Sequence, residues 1–293
     1  MPAPAAPGPA QARLLVFAAA LLFSTGGAAI KFSALSSAQI AGLRSGVAAI
    51  ALAACMPSWR PALDPRVLAV ALAYAATLIS FVAANTLTTA ANTIFLQSTA
   101  PLYVLLLGPR LLGESSRRSD AAIMALIGAG LALIFAAAQP PLRTAPDPAL
   151  GNWVALASGA FWALTLMGLR WLAAAHPGAP QRDLGGSAVV TGNILALLLC
   201  APGLFPLGAA RTADWAIIAY LGIVQIALAY LCLVRGVRGM RAVEFSLLLC
   251  TEPVLSALWA WALHGERPGA VAAAGCALIV AALAGQALQP PAP

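Results

Sequence analysis

Charged side chains are scarce in this sequence: Lys and Arg number 16, Asp and Glu 9 and His 2 in 293 residues, so only 9% of the chain is charged. A soluble globular domain carries about 25%, and so few polar groups could not cover a water-soluble fold of this size. The basic residues stand singly between apolar stretches. No basic run is interleaved with aromatics, which excludes nucleic acid as a partner. The five cysteines (Cys55, Cys200, Cys232, Cys250, Cys276) lie inside apolar segments without metal-ligand spacing. Neither a disulfide, a metal site nor a cofactor is expected from them. H-E-x-x-H and G-x-S-x-G are absent, and both histidines, His176 and His264, lie in or beside loops. An intramembrane enzyme would therefore lack a catalytic set. A channel would need a ring of selectivity groups, and a scaffold or receptor an extramembrane domain; the sequence offers neither.

What is abundant is apolar surface, 61% of the residues. The solvent is then lipid, and the chain is read in spans of about 20 residues. Breaking it at Pro, Gly and charge clusters predicts ten helices, at 13–32, 38–56, 65–85, 91–110, 119–138, 150–172, 185–202, 213–234, 242–263 and 268–287. Residues 1–12 read as a disordered Pro/Ala tail, residues 288–293 as a short C-terminal tail, and the first apolar segment as an uncleaved span. The Pro-rich stretch 139–149 (QPPLRTAPDPA) divides the spans five and five. With the N-terminus inside, eleven Lys/Arg collect on the cytoplasmic side (Arg13, Arg60, Arg66, Arg110, Arg117, Arg118, Arg170, Arg182, Arg235, Arg238, Arg241). Four (Lys31, Arg143, Arg211, Arg267) collect outside, and Arg44 falls within a span. The positive-inside rule thus places both termini in the cytoplasm of an inner-membrane protein.

The two halves share punctuation. Pro101 and Pro253 are each followed, thirteen residues later, by Glu114 and Glu266 in a Gly-Glu pair. Phe23 and Lys31 have the spacing of Trp162 and Arg170. Cys-Met-Pro (55–57) closes span two as Cys-Ala-Pro (200–202) closes span seven. Gly130-Leu-Ala-Leu-Ile matches Gly275-Cys-Ala-Leu-Ile. Four matches in order make a repeat. Because five is odd, the second copy, 150–287, enters upside down relative to the first, 13–138. Inverted repeats place a binding site near the bilayer midplane and let two mirror-related conformations alternate. The expected fold is an all-α membrane protein of ten helices in two inverted five-helix repeats, acting as a monomer on a small-molecule substrate.

The two Pro-then-Gly-Glu blocks and GNWVALASGAFWALTLMGLRWL (151–172) resemble the EamA-type ten-span members of the drug/metabolite transporter superfamily. The resemblance covers residues 13–287 and includes Arg44, where the family often has an arginine in span two. It implies a transporter and no enzyme. It is similar in particular to bacterial exporters of aromatic amino acids, which implies amino-acid export with other metabolites or drugs as alternatives. His264, where a Leu is usual before Gly-Glu, and the Ala-Pro at 100–101 depart from the pattern. Small multidrug relatives carry a membrane-embedded acid in span one; spans one and six here have none, which favours neutral or zwitterionic substrates.

Polar and aromatic residues in a helical stripe should point away from lipid. Span three supplies Tyr74, Thr77, Phe81 and Asn85; span six Ser158, Trp162 and Thr165; span nine Phe245, Glu252, Ser256 and Trp259; span four Gln97 and Tyr103. The substrate-binding candidates are Trp162, Tyr74, Thr77, Phe81, Gln97, Thr165, Glu252 and Trp259. The bland alternatives are packing for the rings and helix bridging for Thr, Ser and Gln. Trp59, Trp153, Trp171 and Trp215 fall at span ends and read as headgroup anchors. Glu252 either receives a substrate ammonium or proton, or serves the helix kink at Pro253. Arg44, Pro101, Pro253, Glu114 and Glu266 read as structural, with Arg44 holding a loop or helix end, or else meeting a substrate carboxylate. Gly42 and Gly46 around it suggest a close helix approach.

Overall fold

A chain this apolar has to satisfy its backbone internally, and helices do so without leaving N–H or C=O open to lipid. The computed structural model describes residues 8–55, 64–111, 118–137, 141–174, 184–208, 210–237, 248–249, 251–267 and 269–287. Among them the regular elements are helices, apart from one isolated bridge between Leu142 and Ala145. Helices α1 (Pro9–Ser24), α2 (Gly26–Phe32), α3 (Ser37–Cys55), α4 (Pro65–Leu87), α5 (Ala90–Gln97), α6 (Ala100–Leu111) and α7 (Arg118–Ala136) precede the Pro-rich stretch. After it come α8 (Pro148–Ala174), α9 (Leu184–Cys200), α10 (Thr212–Ala219), a π-helical segment (Tyr220–Leu228), α11 (Ala229–Val237), α12 (Thr251–His264) and α13 (Ala270–Ala287). Among the described residues, six stretches are long and apolar enough to cross a membrane: Ala10–Phe32, Ser37–Cys55, Pro65–Leu87, Pro148–Leu169, Leu184–Gly203 and Thr212–Leu233. Ala122–Ala136 and Ala270–Gly285 are shorter apolar helices.

Three expected helices are interrupted, each for a local reason. The first breaks at Thr25, whose Oγ1 donates to the Leu22 carbonyl at 2.7 Å, just before the weak helix formers Gly26 and Gly27. The fourth breaks at Ser98–Thr99. There Thr99 Oγ1 takes the Leu96 carbonyl at 2.6 Å, and Pro101, with no N–H to give, starts a new helix. The eighth runs through the π-helical turn at 220–228. The ninth is described from Thr251, apart from helical residues 248–249.

Glycines set the closest seams. A Cβ on Gly42 would meet Cys200 Cβ at 2.9 Å and one on Gly46 would meet Leu197 at 3.2 Å, so α3 lies tight on α9 as the G-x-x-x-G spacing suggests. Gly130 of α7 abuts the Gly275 carbonyl and Ile279, while Gly275 of α13 abuts the Gly130 carbonyl and Ile134. Further seams join α4 to α8 and α9, α1 to α11 and α12, α3 to the π segment, α8 to α5 and α6, and α5 to α12. Between them lies a core of Ile30, Phe81, Ile94, Phe95, Ile134, Leu221 and Ile279. Leu14, Ile50, Leu72, Leu198, Ile223, Leu258 and Val271 are exposed, the apolar coat of a protein solvated by lipid. Trp153, Trp171 and Trp215 are exposed at helix ends, where interface anchors sit; Trp59 lies outside the described residues.

Candidate functional site

Two groups of polar and aromatic side chains meet on α4. The first runs along the seam with α8. Thr77 and Thr165 approach to 3.4 Å, but each hydroxyl already donates to its own helix, to the Ala73 and Phe161 carbonyls. Their meeting is therefore a contact more than a bond. Gln97 Nε2 donates to Ser158 Oγ at 2.8 Å, and Tyr103 donates to the Leu156 carbonyl at 3.2 Å. Thr77 and Thr165 are buried, and this seam links helices as intramembrane hydroxyl and amide groups commonly do. Trp162, one turn from Thr165, is half-buried and packs against two apolar groups, one containing Tyr74 and Leu78 and the other Ala100 and Met167.

The second group surrounds the break between α1 and α2. Tyr220 donates to Thr25 Oγ1 at 2.7 Å, since the Thr25 proton is committed to Leu22. Phe23 and Tyr74 both stand edge-on to Tyr230, with centroids at 5.3 and 5.7 Å. Trp259 Nε1 donates to Ser24 Oγ at 3.0 Å, bringing α12 onto the same break. Arg44 enters from α3, with Phe81 5.9 Å beneath its guanidinium and the Leu78 carbonyl 3.1 Å from Nη2. Its partner is thus a mid-helix carbonyl instead of a loop or helix end. Glu252 sits in the first turn of α12, partly buried and within electrostatic reach of Tyr230. The hydroxyl of Thr251, not the Glu252 carboxylate, bonds the Leu248 carbonyl at the Pro253 turn.

Among the predicted residues, then, Tyr74, Phe81 and Trp259 belong to the group around Arg44 and the α1–α2 break, Trp162 adjoins it through the packing of Tyr74, and Thr77, Thr165 and Gln97 are committed to helix seams. Glu114 and Phe245 lie outside the described residues. Tyr220, Tyr230 and Gln225, which lies against Gly26 and 3.5 Å from Arg44, are members of the cluster that helical periodicity passes over. Residues five apart stand about 140° apart on a helix of 3.6 residues per turn, so they form no stripe. The π-helical turn, with its i→i+5 bonding, brings them toward one side.

At one end of the bundle two ionic contacts hold α2 in place. Lys31, counted among the outside charges at the end of span 13–32, is buried against Glu266 at 3.2 Å and donates to the carbonyls of Asn85, Thr88 and Thr144. Gly265, at φ 66°, ends α12 in the left-handed conformation that glycine adopts freely, and Glu266 turns inward to accept from the Ala90 N–H as well. His264 bonds the Ala28 carbonyl through Nε2 at 2.9 Å and packs at a tilt against Phe32, which gives this departure a packing role. Asp214 accepts from Ser33, Ala34 and Arg211, and holds the exposed Arg211 guanidinium above its usual range. The apolar depression of about 460 Å³ bounded by Phe95, Val254, Ala257 and Cys276 contains none of the polar candidates.

Comparison with known proteins agrees with a membrane carrier. The model of the EamA-like transporter family matches residues 11–136 and 149–286. A protein known from its crystal structure is similar in fold, at a TM-score of 0.63 and 21% identity, over 95% of this chain and 97% of its own. No curated protein matches.

Proposed function

The chain belongs to the EamA-like transporter family, a family of small-molecule transporters and not of enzymes, and on that footing we propose that it exports aromatic or neutral amino acids by alternating access. The observation that carries the reading is the cluster of Tyr74, Tyr230 and Trp259 beside the α1–α2 break, with Trp162 packed against the group that contains Tyr74. Its rings offer apolar area to a substrate side chain, and its few polar groups can fix orientation. Glu252, at the edge of the cluster, is the candidate partner for an ammonium. Spans with internal breaks are where transporters commonly place their sites.

The architecture we propose is ten spans in two inverted repeats, residues 13–138 and 150–287, joined by 139–149 and flanked by tails 1–12 and 288–293. Packing supports it, because exchanging the halves turns the most extensive seams into others that exist. The seam of α1 with α11 becomes α8 with α4, and α3 with the π segment becomes α9 with α4. The α3–α9 and α7–α13 seams map onto themselves, and the matched motif meets its own counterpart where Gly130 faces Ile279 and Gly275 faces Ile134. Such reciprocal contact is what a pseudo-two-fold axis requires. The protein is read as a monomer of the bacterial inner membrane with both termini cytoplasmic, supported by the Lys/Arg bias.

Competition for uptake by Phe, Trp and Thr in proteoliposomes, with wild type and Trp162→Ala at matched incorporation, tests the reading. Loss of the Trp162 wall should weaken aromatic substrates by about 1–3 kcal/mol, roughly five- to a hundred-fold, and Thr less. Equal loss for all three would make Trp162 packing. No competition by any amino acid in the wild type would redirect the substrate to other small metabolites.

A further inference from the structure

Arg44 lies in the second turn of α3, is 1% exposed and heads the fully buried side chains in size. A buried guanidinium is stable when its N–H donors meet acceptors and its charge meets a counter-charge. Neither condition is met from within the described protein. The Leu78 carbonyl that takes Nη2 belongs to the continuous helix α4 and has its own helical donor. Gln225 Oε1 stands 3.5 Å from Nη1, at the limit of a hydrogen bond, and Nε has no acceptor. Phe81 offers a ring face and no charge. Among the described residues no carboxylate pairs with Arg44: Glu266 is held by Lys31 and Asp214 by Arg211.

The surroundings share the deficit. The Tyr74 hydroxyl, beside Asn193 and Tyr230, is buried without a hydrogen bond of normal geometry, and Asn193 Oδ1 is likewise unbonded. A small rotation would let Tyr74 and Asn193 satisfy each other. The guanidinium has no such recourse, because what it lacks is an anion.

We propose that Arg44, with the Tyr74 hydroxyl beside it, receives the carboxylate of the transported molecule. The inference rests on the transport reading above and deepens it: the substrates are small carboxylic acids, amino acids among them, and analogues without a carboxylate are rejected. A guanidinium binds a carboxylate more strongly than a neutral acceptor, and in this site the ligand supplies the counter-charge that the fold leaves out. Tyr74 packs in the same cluster as Trp162, so acid recognition and ring recognition adjoin.

Purified protein in detergent, titrated with phenylalanine, its amide, phenethylamine and 3-phenylpropanoate and read by thermal shift, tests this in wild type, Arg44→Gln, Arg44→Lys and Tyr74→Phe. The wild type should bind phenylalanine and phenylpropanoate about 10- to 100-fold more tightly than the amide and the amine. Arg44→Gln should abolish that preference, Arg44→Lys keep part of it, and Tyr74→Phe reduce it a few-fold. The wild-type comparison needs no variant, so an unstable Arg44→Gln cannot shelter the idea. Phenylalanine and its amide binding equally well would overturn the carboxylate subsite and leave amino-acid transport standing. A preference that survives in Arg44→Gln would do the same. Arg44-dependent binding of phenylpropanoate with no amino acid bound would keep the subsite and overturn the amino-acid reading. Binding of no carboxylate at all would overturn both.

Discussion

With both side chains 2% exposed, Lys31 and Glu266 have no water to screen them, and the ammonium directs its protons at three backbone carbonyls, two at the end of α4 and one in the Pro-rich stretch. Breaking such a buried pair leaves a bare charge, whereas removing both partners does not. Lys31→Met should therefore cost roughly 3–5 kcal/mol of stability, and the double variant Lys31→Met/Glu266→Leu less than either single change. Thermal unfolding in detergent decides this, and additive losses would show that the two groups are not coupled. Glu252 is a different kind of residue, with Thr251 already serving the helix start beside it. Weak or no obligatory proton coupling is expected, so Glu252→Gln, whose amide oxygen still accepts from an ammonium, should weaken amino-acid binding but leave downhill efflux at saturating substrate largely intact. Loss of efflux with folding retained would assign the carboxylate to coupling or to substrate binding.

Helices of this protein meet over glycine where their backbones come closest, and the effect of a methyl group follows from what it would strike. At Gly275 a new Cβ would lie 2.6 Å from the Gly130 carbonyl oxygen, and at Gly128, on the same helix as Gly130, it would meet nothing within 4 Å. Gly275→Ala should destabilise by about 1–3 kcal/mol through overpacking, while Gly128→Ala should be neutral or slightly stabilising. Equal melting temperatures for the two would mean that the α7–α13 seam yields easily. The interrupted elements follow the opposite logic. At Thr25 and at Ser98–Thr99 helix continuity gives way and side-chain hydroxyls take carbonyls there, while the π segment keeps its backbone bonding and sets Tyr220 against Thr25. Polar chemistry has thereby been brought into a bundle whose regular helices offer almost none.

For the molecule as a whole, the eleven-to-four distribution of Lys and Arg predicts which end faces the cytoplasm. Ala145, in the linker, is fully buried, but its neighbour Arg143 is exposed, as is Gly8 at the other end of the first half. In a cysteine-free background, Arg143→Cys should react with an impermeant thiol reagent added outside, and Gly8→Cys only after permeabilisation. The reverse pattern would invert the topology. The Lys31–Glu266 and Arg211–Asp214 contacts would then belong to the cytoplasmic end.

Residence in lipid, the approximate positions of the helices and the paired Pro and Gly-Glu punctuation were legible along the chain, because composition, segment length and Gly/Pro placement are one-dimensional properties. Lys31 shows where that reading stops. Counting it as an outside charge uses only its neighbours in sequence, while its carboxylate partner at Glu266 and its carbonyl at Thr144 arrive from other parts of the fold. Tyr220, Gln225 and Tyr230 escaped for a related reason, since their spacing joins them only where the helix widens to i→i+5 bonding. Arg44 depends on the fold most. Its neighbours on α3 say that it is buried, but Leu78 and Gln225, 34 and 181 positions away, decide how little of its charge is answered. Periodicity can say which side of a helix avoids lipid. Which polar atoms find partners there depends on helices that meet only when the chain has closed on itself.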